Sequence, residues 1–599
     1  MKGETKIIFT SRLPFHVSRN NEVDMNLKKT FVMLIIFPTV LLILNCGGKK
    51  EVKNPADLVL INGVVATVED NNPSAEAVAV KNGKIFAVGS TSEIESFIGD
   101  STQVVDLKEK FLMPGFNDSH AHFLGIGNSK MILDFHEAKN WDEVITIVAK
   151  AAESAKPGEW IIGRGWHQEK FNQAPNPNVN GYPIHNELSK ASPRNPVMLT
   201  HASGHAIFAN AKAMQIAGVN RNTKDPDGGT IERDSLGNPI GVFEENAENL
   251  IAKYYNDYLA KRTPLQIQVD YEKKIQLASE ECLQKGVTSF TDAGETFDVI
   301  DILKKYADEK KLKVRLNIMV GDTYANMREK LALYRMVGYA DGFLTVRSIK
   351  QYIDGALGSR GAWLLEPYAD LPGSTGSNVT PVNDLKKIAD LAIAYNYQLR
   401  IHAIGDKGNR EVLNIYEEIF KKHPDKKGLR WCIEHAQHLS AQDIPRFAKL
   451  GVIAVMQGVH CTSDATFVPE RLGDARAEEG AYVWKKLINS GARICNGTDA
   501  PVEDVDPIKC FYSAVTRKDV DGNVFYGDQK MSRMEALKSY TINGAFASFE
   551  EDVKGSIAIG KFADLVVLSN DLLKCSDDEI MNIKVLYTIV GGKILYTAK

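Results

Sequence analysis

Between residues 111 and 499 the chain keeps returning to one unit, an apolar run of five to eight residues followed by a helical pattern of ten to twenty. Eight such runs stand near 111–118, 287–293, 314–320, 344–353, 397–403, 430–435, 452–457 and 493–499. Short apolar runs separated by amphipathic helices bury both faces only when the strands lie parallel with the helices outside them. Eight of them predict an α/β chain closed into a (β/α)8 TIM barrel, spanning 114–550. Some helix ends are legible too: Thr263-Pro264 opens one helix and Gly286 closes it, while Ser440 with Asp443 reads as a capping box. Roughly 160 residues separate the first two strands, where a crossover needs about a dozen, so an inserted subdomain is expected at about 123–262. Its Gly- and Pro-rich stretch from Phe171 to Glu245 would form a lid or pocket wall.

The two ends have a different texture. Leu58-Val59-Leu60-Ile61-Asn62-Gly63 and Lys84-Ile85-Phe86-Ala87-Val88-Gly89 read as short antiparallel strands with tight turns, as do Ala563–Leu568 and Val585–Val590. Segments 57–113 and 551–599 are therefore expected to meet as one small β-domain. Lys plus Arg number 72 against 76 Asp plus Glu, without a long basic run, which excludes a nucleic-acid partner and favours a small molecule. Assembly as a homo-oligomer stays open. Seven cysteines without CxxC spacing argue against a zinc ribbon or disulfide framework, and six read as buried free thiols.

The seventh, Cys46, follows Lys28, Lys29 and an apolar run from Phe31 to Leu44, the form of a signal peptide. That run contains Pro38 and is short of the ~20 residues of a spanning helix. Ile43-Leu44-Asn45-Cys46-Gly47-Gly48 resembles a bacterial lipobox, which implies a lipoprotein lipidated at Cys46. Residues 1–46 then form the signal segment, with Met25 as its start, and 47–56 a tether. The expectation is a lipid anchor to the membrane in the cell envelope; an uncleaved anchor is the alternative, and both place the body outside the cytoplasm.

Chemistry concentrates at the strand ends. In Phe116-Asn117-Asp118-Ser119-His120-Ala121-His122, alternation points Asp118, His120 and His122 the same way, toward the barrel centre. Two imidazoles at that spacing can chelate a divalent cation. The fifth, sixth and eighth strands end in Ile401-His402-Ala403, Ile433-Glu434-His435 and Gly497-Thr498-Asp499. Four of only thirteen histidines at strand ends are hard to explain by packing. Lys350, in the fourth strand, cannot ligate as an ammonium, but as a carbamate it could bridge two metals; pairing with Asp354 or with a substrate anion is the alternative.

These motifs in this order resemble the amidohydrolase superfamily, in its amidohydrolase-3 (YtcJ-like) branch, over nearly all of residues 57–599. The resemblance rests on Pro114-Gly115-Phe116 before the HxH, Gly163-Arg164-Gly165-Trp166, Gly204-His205-Ala206 and Gly355-Ala356-Leu357-Gly358-Ser359-Arg360. It rests also on His402-Ala403-Ile404-Gly405-Asp406, Gly497-Thr498-Asp499-Ala500-Pro501 and Gly560-Lys561-Phe562-Ala563-Asp564. It implies that His120, His122, Lys350, His402 and His435 are metal ligands, that Asp499 is ligand and base, and that the terminal strands form a β-sandwich. The chain departs from the branch at Gln457-Gly458-Val459-His460, where relatives often have a proline after the glutamine, and at His201, where they often have an acid.

The expected function is metal-dependent hydrolysis of a non-peptide, amide-like C–N bond in a small molecule. Two divalent ions, Zn²⁺ first with Mn²⁺ or Fe²⁺ as alternatives, would be bridged by carboxylated Lys350 and would activate hydroxide. Asp499 would move the proton to the leaving nitrogen. Trp166, His205, Arg360 and His460 are candidates for substrate positioning, with a core role for Trp166 the equal alternative. A one-metal deaminase of the same superfamily and a non-catalytic anchored binding protein are the alternatives.

Overall fold

The computed structural model describes residues 54–135, 137–168, 171–202, 206–226 and 229–599; the segment ending at Cys46, and His205, lie outside them. Eight strands build one parallel barrel sheet: β1 (Phe116–Ala121), β2 (Val287–Glu295), β3 (Arg315–Val320), β4 (Leu344–Tyr352), β5 (Gln398–Ala403), β6 (Cys432–His435), β7 (Ile453–Gln457) and β8 (Ile494–Gly497). Each pairs in parallel with the next in chain order, from β1 to β8. The last seam is held by contacts just past β8: Asp499 N–H donates to the His120 carbonyl and His122 N–H to the Ala500 carbonyl, both at 2.8 Å. Asp118 fastens the same seam, accepting the Thr498 hydroxyl at 2.5 Å and its amide at 3.1 Å.

Crossover helices face the sheet with their apolar stripes. The helix Phe297–Asp308 buries Phe297, Ile300, Leu303, Tyr306 and Ala307, the three-to-four spacing that gathers side chains on one face. The helix Pro264–Gln284 starts as expected, with Thr263 and Gln266 in a capping box and Pro264 in the first turn. The box expected at Ser440 is not formed. That helix, Ile444–Leu450, begins after Asp443 without a side-chain cap, because the Asp443 carboxylate is drawn away by Arg410 at 2.8 Å and Arg446 at 2.9 Å.

The first apolar run is divided between two sheets. Phe111–Pro114 pairs antiparallel with Leu565–Leu568 in a sheet made from both ends of the chain, and Phe116–Ala121 enters the barrel. Gly115 joins them where a Cβ would stand 2.2 Å from the Thr288 hydroxyl. A second, four-stranded sheet holds Leu58–Ile61, Ala77–Lys81, Lys84–Gly89 and Gln103–Asp106. Leu58, Leu60, Val78 and Val80 from this sheet share one apolar core with Leu112, Leu565, Val567 and Ile589 from the other. The expectation of antiparallel pairing throughout needs correction: Leu58–Ile61 runs parallel to Gln103–Asp106 and Val64–Ala66 parallel to Phe111–Pro114. The intervening residues are long enough to return the chain to the same end.

The long first crossover contains a six-stranded mixed sheet with a core of its own, in which Trp141, Trp166, Leu199, Phe208 and Val242 pack together. The helix Phe123–Ser129 precedes that sheet and lies against Pro264–Gln284, so closely that a Cβ on Gly127 would stand 2.1 Å from the Lys274 carbonyl oxygen.

Candidate metal centre

The C-terminal ends of β1, β5, β6 and β8 bring His120, His122, His402, His435 and Asp499 to one end of the barrel, where barrel enzymes build their sites. His120 is the buried, penultimate residue of β1. His122 lies just past the strand, at the N-cap of Phe123–Ser129 with extended backbone. Asp499 Oδ1 is 3.3 Å from His122 Nε2 and 3.6 Å from His120 Nε2, and its Oδ2 is 3.9 Å from His460 Nε2. Nitrogens of His120 and His435 and an oxygen of Asp499 lie within 4.8 Å of one another. The His435 ring is centred 4.7 Å from that of His120 and 4.5 Å from that of His402. Two residues of this group, His435 at φ 71° and Asp499 at φ 58°, adopt the left-handed backbone that side-chain-bearing residues avoid, a strain that concentrates at functional sites.

The donor chemistry suits a divalent cation. Burial, above all, pushes the His120 imidazolium down to about 4 and that of His402 to about 3, and holds His435 well below its usual value. Neutral imidazoles are what metal ligation requires. His435 donates from Nδ1 to Gln457 Oε1 at 2.8 Å, and among the described residues buried His402 Nε2 has no hydrogen-bond partner, Asp354 Oδ1 standing 3.6 Å away. The Asp499 carboxyl, despite its burial, is held well below the usual range, chiefly by the hydrogen bond from His122.

Lys350 is 2% exposed, with Nζ 3.5 Å from His120 Nε2 and 4.8 Å from the centre of the Tyr352 ring. Burial lowers its pKa to about 8. The alternative partner, Asp354, is engaged elsewhere: it accepts backbone amides of Ile404 at 3.0 Å, Gly405 at 2.8 Å and Trp363 at 2.9 Å. It thereby pins the loop that follows His402. At the end of β2, Asp292 and Glu295 share a buried environment that raises both carboxyls, Glu295 to about 7.

The structure separates other candidates. Asp118, expected to face the centre with the histidines, lies one layer below them and takes the His120 amide at 3.2 Å besides the Thr498 contacts. Trp166 is a core residue of the inserted sheet rather than a pocket wall: it is 0% exposed, and its indole N–H donates to the Leu199 carbonyl at 2.9 Å. Arg360 forms a fork onto Asp370, at 2.7 and 3.2 Å, which Arg471 also grips. His460 is brought to Asp499. A cleft of about 650 Å³ bordered by Lys426, Arg430, Lys449 and Arg493 opens at the opposite ends of β6 to β8 and has no part in the site.

Sequence reasoning missed Arg400 and Glu434. Glu434 Oε1 accepts from Arg400 Nε at 2.6 Å, and its Oε2 accepts from His120 Nδ1. In register Glu434 stands opposite His402 on the inner face, and alternation would send His435 outward, but the left-handed backbone at His435 carries its ring inward as well. The position of Arg400, two residues before His402, was the available signal.

A model of the amidohydrolase family matches residues 103–596. The chain is 31% identical over 543 residues to the putative amidohydrolase YtcJ of Bacillus subtilis (strain 168), covering 89% of this chain and 98% of that protein. It is 28% identical over 551 residues to the N-substituted formamide deformylase of Arthrobacter pascens, covering 90% and 98%. Among solved structures it is similar to an uncharacterized metal-dependent hydrolase from Pyrococcus horikoshii OT3, with TM-score 0.71 and 27% identity over 87% of this chain and 99% of that one.

Proposed function

The chain belongs to the amidohydrolase family and is a metal-dependent hydrolase acting on carbon–nitrogen bonds, and we propose that it cleaves a non-peptide, amide-like bond of a small molecule. The observation that carries this reading is the convergence of neutral, buried histidines and Asp499 around buried Lys350 at one barrel end. We assign the metal to His120, His122, His402, His435, Asp499 and a carboxylated Lys350, and read the site as one for two ions, Zn²⁺ or, with the same donors, Mn²⁺ or Fe²⁺. A bound divalent ion supplies polarisation of the scissile group and a water made acidic near neutral pH.

The protein's own residues do the rest. Asp499 accepts the proton of the attacking water and returns it to the nitrogen, since an amine leaves poorly unless protonated. Its place between His122 at 3.3 Å and His460 at 3.9 Å supports that role. His460 orients the substrate against Asp499. The name of the Arthrobacter relative supports N-substituted formamides as the first substrate class to test. Purified protein supplied with Zn²⁺ or Mn²⁺ and assayed on formamides, N-acyl amino acids, cyclic ureas and amidines is expected to hydrolyse a member of the first three classes. Chelation should abolish the activity and added metal restore it. Ammonia release from amidines alone would favour the one-metal deaminase, and inactivity across the panel the binding protein.

We also read Cys46 as the site of a lipid anchor in the cell envelope, supported by Lys28, Lys29 and the apolar run Phe31–Leu44. Among the described residues no helix is long and apolar enough to cross a membrane. The terminal sheets, with their shared core, are read as one β-sandwich.

A further inference from the structure

Beneath the histidines an ion pair crosses the barrel interior out of contact with water. Arg400 on β5 and Glu434 on β6 are both 0% exposed, and Nε of the one donates to Oε1 of the other at 2.6 Å. Arg400 Nη2 also donates to the Ser119 carbonyl at 3.0 Å, on the strand that carries His120. The second Glu434 oxygen meets His120 Nδ1. A buried ion pair is weak evidence for stability, because desolvating two charges offsets most of their attraction. Its geometry here answers a different need.

A neutral imidazole carries its proton on one nitrogen or the other, and the partner of one ring nitrogen decides which. Glu434 takes Arg400 Nε on Oε1 at 2.6 Å and turns its other oxygen to His120 Nδ1, where it serves as the acceptor. It therefore demands the proton on His120 Nδ1, which leaves a lone pair on Nε2. That nitrogen faces the centre of the site, 3.5 Å from Lys350 Nζ and 3.6 Å from Asp499 Oδ1. His435 shows the neutral version of this arrangement, with the Gln457 amide oxygen on Nδ1.

We infer that Arg400 and Glu434 are positioning residues that lock His120 in its Nδ1–H tautomer and so set the affinity of the site for a divalent metal. The inference rests on the metal centre proposed above and is tested without turnover, by Zn²⁺ affinity in competition with a chromophoric chelator and by melting of the metal-free full chain. Removing either partner alone strands a buried charge and can unfold the protein, so both are changed together. Arg400→Met with Glu434→Met removes charge and acceptor, and is expected to keep the metal-free melt while Zn²⁺ affinity falls about 10–100-fold, the usual cost of losing such a partner. Arg400→Met with Glu434→Gln restores a neutral acceptor and is expected to recover part of that loss. A Met/Met variant with wild-type affinity would overturn the inference and leave the metal centre standing, as would a Met/Gln variant no tighter than Met/Met. A wild-type chain without Zn²⁺ affinity would overturn both.

Discussion

Replacing Asp499 by asparagine isolates one property of this position, a basic carboxylate, from the others it has. The residue sits at φ 58°, and asparagine is among the few side-chain-bearing residues that adopt this conformation readily. The main-chain bond from its amide to the His120 carbonyl, at 2.8 Å, does not depend on the side chain. An amide oxygen can still accept from His122 Nε2, which stands 3.3 Å from the carboxylate. The seam between β8 and β1 should therefore survive, and the histidines should retain most of the metal. A positioned acid–base group contributes about 10²–10⁴-fold in rate, which corresponds to roughly 3–5 kcal/mol of barrier at about 1.4 kcal/mol per decade. Asp499→Asn should lose at least the lower figure. The assay is turnover on a substrate from the panel, beside metal content and melting temperature, for wild type and variant. Near-normal turnover in a folded, metal-loaded Asp499→Asn protein would refute the proton-transfer role.

Gly127→Ala would drive a Cβ to within 2.1 Å of the Lys274 carbonyl oxygen, and should cost about 1–3 kcal/mol by overpacking. Because the helix it displaces begins at His122, a thermal melt and a metal titration should both show the damage. Trp166→Phe removes the donor to the Leu199 carbonyl and should cost about 1–3 kcal/mol of stability with KM unchanged; a KM effect without destabilisation would return Trp166 to the pocket. Metabolic labelling with a fatty acid should mark the wild-type protein and not Cys46→Ala, and an unlabelled wild-type protein in the soluble cytoplasmic fraction would end the lipoprotein reading.

Local patterns were enough to announce the barrel, because an apolar run followed by an amphipathic helix has few ways to bury both faces and eight repeats have fewer still. They also placed His120, His402, His435 and Asp499 at strand ends, since motif and strand end coincide along the chain. What the chain could not disclose depends on residues distant in sequence. One apolar run divides between two sheets at Gly115, where Thr288 leaves no room for a Cβ. Asp118 looks like a member of the HxH cluster by alternation, yet it is claimed by Thr498, 380 residues away. Trp166 stays open between pocket and core until Leu199 and Phe208 enclose it. His435 reaches the inner face only because its left-handed turn breaks the period of two, and the Glu434 carboxylate beside it finds its partners, Arg400 and His120, on other strands. Periodicity is a property of neighbours along the backbone and survives in the sequence alone, whereas the partner of a buried polar group is decided only when the closed sheet brings distant strands together.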